Sequence, residues 1–111
     1  MPKPPLSLAT TTLWDYPSQN YGQDGAQGNQ AYAGATPSYV IWNLLKRYTR
    51  SGDTVLDPMA GSGTTLDVCR DLGRKGVGFD LQPSHPEVRE SDARHMPLDN
   101  SSVDFIFVDP P

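Results

Sequence analysis

Residues Val55 to Thr65, reading Val-Leu-Asp-Pro-Met-Ala-Gly-Ser-Gly-Thr-Thr, constrain this chain more than any other stretch. Thr54, Val55 and Leu56 form a short β-branched and apolar run, the pattern of a strand. Asp57-Pro58 ends it, because proline has no N–H and biases the residue before it away from a helix. Gly61-Ser62-Gly63 lets the backbone turn tightly and come close to a ligand. Thr64 to Leu72 comes next, with Leu66, Cys69 and Leu72 at three-residue spacing, which predicts a helix. In an open α/β sheet, strand, glycine turn and helix in that order place a cofactor beyond the carboxyl end of the strand. The stretch lacks the lysine of a phosphate-binding P-loop and the third glycine of a dinucleotide fingerprint. A ligand-free structural turn is the plain alternative.

The flanking segments extend the α/β pattern. Thr36-Pro37 predicts a helix start, with threonine as N-cap and proline at the first helical position. Val40, Ile41, Leu44, Leu45 and Tyr48 share one apolar face of that helix, and Lys46, Arg47 and Arg50 close it, a placement that complements the helix dipole. Downstream, Gly73-Arg74-Lys75 ends the second helix and Gly76 to Leu81 reads as a strand. Asp80 falls at its carboxyl end, about 20 positions after the glycine turn, where nucleotide-binding α/β folds set a carboxylate on the ribose hydroxyls. Gln82 to Glu90 is polar and broken by Pro83 and Pro86, too short for a full crossover helix, and His85 and His95 read as solvated loop residues. No metal-ligand spacing joins these histidines to Cys69. Val103 to Val108 is a nearly continuous apolar run, as in a parallel strand covered on both faces, and it leads into Asp109-Pro110-Pro111.

Residues 1–12 are proline- and threonine-rich and too poor in apolar residues to pack. Leu13 to Pro17 carries Trp14 and Tyr16, a pair suited to docking on the domain body, and Ser18 to Ala35 has neither helical nor strand periodicity. The expected organisation is an irregular extension over 1–35 and one domain over 36–111.

The motif at Asp57, Pro58, Met59, Ala60, Gly61, Ser62, Gly63, Thr64 and Thr65 resembles the Asp-Pro-Phe-x-Gly-Ser-Gly-Thr-Thr cofactor motif of S-adenosylmethionine (SAM)-dependent amino-methyltransferases, chiefly the DNA N6-adenine and N4-cytosine enzymes. Met59 replaces the phenylalanine and keeps an apolar wall. Asp109, Pro110 and Pro111 resemble the start of the family's Asp-Pro-Pro-Tyr motif, in which the aspartate and the first proline's carbonyl accept from an exocyclic amine. The aromatic fourth position is not reached. The resemblance further implies that Thr36, Pro37 and Ser38 touch the methionine part of SAM, that Asp80 and Leu81 bind its nucleoside, and that Asp92 and Ala93 serve its adenine. It implies a Rossmann-like α/β sheet, here incomplete and limited to its first four strands, with the edge of the last strand unpaired. The expected partner is DNA. An RNA guanine N2-methyltransferase, whose layout residues 92–111 also fit, and a truncated SAM-binding fragment without catalysis are the alternatives.

Charge is unevenly divided in a way that matches. The chain carries a net −4, of which residues 1–50 hold four basic and two acidic residues and residues 51–111 hold five basic and eleven acidic ones. The acidic half contains the glycine motif, and a sulfonium- and ammonium-bearing ligand suits it better than a polyanion does. One cysteine and no apolar run of membrane-spanning length point to a cytoplasmic protein without membrane or metal partners; oligomeric state is not encoded in any feature of the chain.

Overall fold

The computed structural model describes residues 37–110. The extension over 1–35, the Trp14/Tyr16 segment, Thr36 and Pro111 lie outside those residues. Helix α1 (Ser38–Tyr48) leads into strand β1 (Thr54–Asp57), helix α2 (Thr64–Leu72), and strands β2 (Lys75–Asp80), β3 (Val88–Glu90) and β4 (Phe105–Ile106). The strands form one parallel sheet in the order β3-β2-β1-β4. This is the α/β architecture expected of a Rossmann-like methyltransferase sheet. The chain runs outward from β1 through β2 to β3, then returns to the other side of β1, so the topological switch falls between β1 and β4.

Pairing register assigns the two faces of the sheet. Val55 is level with Gly76 and with Phe105, and Leu56 with Val77 and Ile106. Val55 joins Ile41 and Leu45 of α1 and Val68 and Cys69 of α2 in the main core, with Phe105 and Phe107 packed against it. The same face carries Gly78, where an added Cβ would lie 2.7 Å from Leu66 Cδ1, so α2 seats closely on β2 only because no side chain intervenes. Ala60, Leu66 and Val88 form a second cluster beside it. Cys69 is a packing group, its thiol pushed up to about 12 chiefly by burial and so unreactive.

Four local expectations are corrected. Pro37 is the N-cap of α1, at φ −58° and ψ 131°, rather than its first helical residue; the ring's fixed φ suits both positions, and the extended ψ keeps it out of the helix. Tyr48 leaves the apolar face and is exposed, its ring parallel to that of Phe105 at a centroid distance of 6.2 Å. The segment read as loop contains β3. Parallel strands ordinarily need a crossover of a dozen or more residues, but β3 begins level with Gly78 and pairs only with the last three residues of β2, so the chain has little distance to return. Finally, β4 is packed on one face: Ile106 is 55% and Val108 46% exposed. Its ladder is longer than its two assigned residues, since Asp104 N–H donates to Thr54 O and Phe107 N–H to Leu56 O, both at 2.9 Å.

Arg74 ties the helices together. Its Nε donates to Thr49 Oγ1 at 2.8 Å, one terminal nitrogen to Leu72 O at 2.7 Å, and the other to Thr49 O at 2.8 Å. One guanidinium thereby satisfies carbonyl groups at the carboxyl ends of both α1 and α2. Arg74→Ala is expected to lower stability by about 2 kcal/mol, measured as a urea midpoint, and Arg74→Lys to recover little, because an ammonium cannot span both ends.

Candidate active site at the carboxyl ends of the strands

The local sequence builds the site around the end of β1. Asp57 is the last residue of the strand and is buried. Its Oδ1 accepts the Met59 N–H at 3.1 Å and its Oδ2 the Thr65 hydroxyl at 2.6 Å, so one carboxylate ties the strand end to the first turn of α2. Between them, Gly63 N–H donates to Ala60 O at 2.8 Å and closes the turn. Gly63 is the N-cap of α2, in the left-handed region at φ 82°, where glycine is favoured. Ser62 and Thr64 are buried, with their hydroxyls 3.2 Å apart.

Strand β2 supports the turn from the side. Ala60 N–H donates to Phe79 O at 2.8 Å, carrying the β1–β2 ladder into the turn. Asp80 Oδ2 accepts the Gly61 N–H and Oδ1 the Gln82 N–H, each at 2.9 Å. Each oxygen keeps a further lone pair, so the carboxylate both shapes the turn and retains acceptor capacity. Met59 and Leu81 flank this edge with apolar side chains 40% and 65% exposed.

The four strands deliver an aspartate apiece to the same edge. Asp57 and Asp80 end β1 and β2, Asp92 comes just after β3, and Asp109 just after β4. Asp57 titrates above the ordinary carboxylate value, first because of burial and then because the carboxylates of Asp80 and Asp109 stand near it. The structure therefore brings together Asp57, the turn, Asp80 and Asp109 across the β1–β4 switch point, where ligands of such sheets bind. Asp92 is engaged elsewhere: its Oδ1 accepts the Arg94 backbone N–H and Nε and its Oδ2 the guanidinium at 2.7 Å, which holds it well below the usual carboxylate range. Ala93 is half-buried in the same turn. Because Arg74 caps both helices beside the start of β2, α1 and α2 run in the same sense, and Pro37 and Ser38 lie toward the site edge. Lys46, Arg47 and Arg50 lie at the opposite edge with Lys75.

Two contributions were missed in the sequence. Ser84 Oγ donates to Gly61 O at 3.1 Å. His85, read as solvated, has a side chain only 12% exposed and faces Asp67 of α2. Both sit in a polar, proline-broken stretch whose composition gives no periodicity, so only the fold reveals their role. Among the described residues no group of three or more His, Cys, Asp or Glu could hold a metal, and no helix is long and apolar enough to cross a membrane.

A parallel sheet with a glycine turn after its switch-point strand and a carboxylate at the end of the next is the arrangement of open α/β domains whose ligands bind beyond the carboxyl ends of the strands. The DNA methylase family matches residues 3–90, and the chain belongs to it. Relatives include the Type II methyltransferase M.ScaI of Streptomyces caespitosus, 31% identical over 76% of this chain and 28% of its own length. M.MjaII of Methanocaldococcus jannaschii is 38% identical over 50% of the chain and 11% of its own length. M.BamHI of Bacillus amyloliquefaciens is 61% identical over 38% of the chain and 10% of its own. The chain thus spans between 10% and 28% of the length of these proteins. No solved structure matches.

Because the folded state raises the Asp57 pKa above 3.8, the native protein binds more protons than the unfolded chain as pH falls from neutrality toward that value. This group's contribution to stability therefore grows on acidification and is lost as pH rises. Asp57→Asn should be most favourable relative to the native protein at neutral pH, with the difference in urea midpoint shrinking toward pH 3.8.

Proposed function

We propose that this chain forms the cofactor-binding part of a SAM-dependent DNA amino-methyltransferase that methylates an exocyclic amine, N6 of adenine or N4 of cytosine. The observation that carries the reading is the convergence of the glycine turn, Asp80 and Asp109 on the β1–β4 switch point. The donor set fits the cofactor: three carboxylates around a buried turn suit a ligand carrying a sulfonium, an ammonium and two ribose hydroxyls. Asp80 would accept from the ribose with its unused lone pairs, Met59 and Leu81 would wall the adenine, and the turn from Gly61 to Gly63 would let the ligand approach the backbone. Asp92 would serve the adenine amine once released from Arg94. When bound, SAM supplies an electrophilic methyl group.

The remaining chemistry belongs to the protein's own groups. Asp109 accepts an N–H of the target amine and aims the nitrogen lone pair into the crevice, and Pro110, with its φ fixed by the ring, holds that acceptor in place. Asp109 orients rather than deprotonates, since a carboxylate is too weak a base for an aromatic amine. A duplex substrate would have to flip its base to reach this edge. The relatives named above are all Type II methyltransferases, which favours DNA as the polymer.

SAM titrated calorimetrically into the purified chain should bind, and Asp80→Ala should weaken it by about 10- to 100-fold. In the whole protein that carries this chain, labelled methyl should pass to duplex DNA and not to tRNA. Asp109→Ala should cut that transfer by about 100-fold or more while leaving SAM affinity in place. Equal transfer by the Asp109 variant, or transfer to tRNA alone, would overturn the assignment.

A further inference from the structure

The β2–β3 loop does more for the glycine turn than Asp80 alone accounts for. His85 lies against Gly63 so closely that a Cβ there would meet the ring's Cγ and Cδ2 at 2.4 Å. Gly63 is thus required for space as well as for its backbone angle. The ring is fixed at both nitrogens. Glu87 N–H donates to Nδ1 at 3.1 Å, which makes Nδ1 an acceptor, so in the neutral ring Nε2 carries the proton and donates to Asp67 Oδ1 at 3.1 Å. Asp67 stands near the start of α2, and its backbone N–H bonds Gly63 O at 3.1 Å. Arg70 in turn bridges Asp67 at 3.4 Å and Glu87 at 2.9 Å. Together with Ser84 on the Gly61 carbonyl, this places loop contacts on both glycines of the turn.

We propose that His85 is a positioning residue of the cofactor turn: seated on Gly63 and pinned to Asp67, it locks the turn and the first part of α2 in the geometry that receives SAM. It touches no ligand group in this role; it acts through Gly63 and Asp67. The proposal rests on the reading of the turn as a SAM site. Physically, the turn has to present backbone to a ligand while carrying no side chain of its own at Gly61 or Gly63, so rigidity must come from a neighbour. An ordered aromatic ring held by two hydrogen bonds supplies it, and a turn already ordered loses less entropy on binding.

The test measures SAM affinity of the full chain by calorimetry for His85→Ala, His85→Phe, Asp67→Asn and the His85→Ala/Asp67→Asn pair, with circular dichroism to confirm folding. The native chain must bind SAM; if it does not, the site reading itself fails, and this proposal with it. Given binding, His85→Ala should raise Kd about tenfold, equivalent to about 1.4 kcal/mol. Asp67→Asn should have a similar effect, and the pair should be little worse than either single variant, because both remove one linkage. His85→Phe, which keeps a ring over Gly63 but neither hydrogen bond, should fall between the native chain and His85→Ala. Native affinity in a folded His85→Ala variant, or additive losses in the pair, would overturn the proposal while leaving the SAM site standing. Should His85→Ala fail to fold, weakened SAM binding by both folded His85→Phe and folded Asp67→Asn supports the proposal, and native affinity in either one overturns it.

Discussion

Strand β1 gives its backbone groups to β2 on one edge and to β4 on the other, and one of its faces is covered by both helices. With hydrogen-bonding edges occupied on both sides, the strand has little freedom of position, and the glycine turn at its carboxyl end is placed just as firmly. On its flanks β2 and β4 bring Asp80 and Asp109 to the same level. Because the strand order reverses on either side of β1, the two connections diverge and leave a crevice. Helices on a single layer, clamped at their far ends by Arg74, keep the near ends facing it.

That arrangement carries an electrostatic cost. Asp57 is desolvated and stands near two further carboxylates, which disfavours its charged form. Its bonds to Met59 and Thr65 recover part of the loss and fix the shape of the turn at the same time. A cation arriving at this edge would relieve the remaining repulsion, so the same charges that disfavour one another there favour a positively charged ligand. Shape and charge here share one origin.

Much of the architecture was readable in the chain itself. The boundaries of α2 fall where the glycine turn and the Leu66, Cys69, Leu72 spacing put them, and β1 and β2 lie within a residue of the segments expected from β-branched content and proline and glycine breaks. These are local signals, and local chemistry decides them. What escaped was decided at a distance. Strand β3 is only three residues long and owes its existence to pairing with the end of β2. His85 looks like a solvated loop residue until the fold brings Gly63 and Asp67 to it, the latter 18 positions away. Arg74 reads as a helix-ending cation, but its partner Thr49 lies 25 positions earlier. Apolar periodicity likewise pointed to a β4 covered on both faces, whereas Ile106 and Val108 face outward on a strand with one packed side.

The brevity of the β2–β3 connection has a consequence for how this domain can vary. Surface loops ordinarily tolerate insertion and deletion, since their backbone is solvated and few contacts depend on their length. Residues 81–87 are spoken for along their course: Gln82 bonds Asp80, Ser84 bonds Gly61, His85 rests on Gly63, and Glu87 bonds both His85 and Arg70. An added or lost residue there has to be absorbed without breaking these contacts or the register that sets Val88 level with Gly78 and in its cluster with Ala60 and Leu66. The length of this connection is therefore fixed by what its residues touch, and the loop beside the glycine turn belongs to the scaffold rather than to the variable surface.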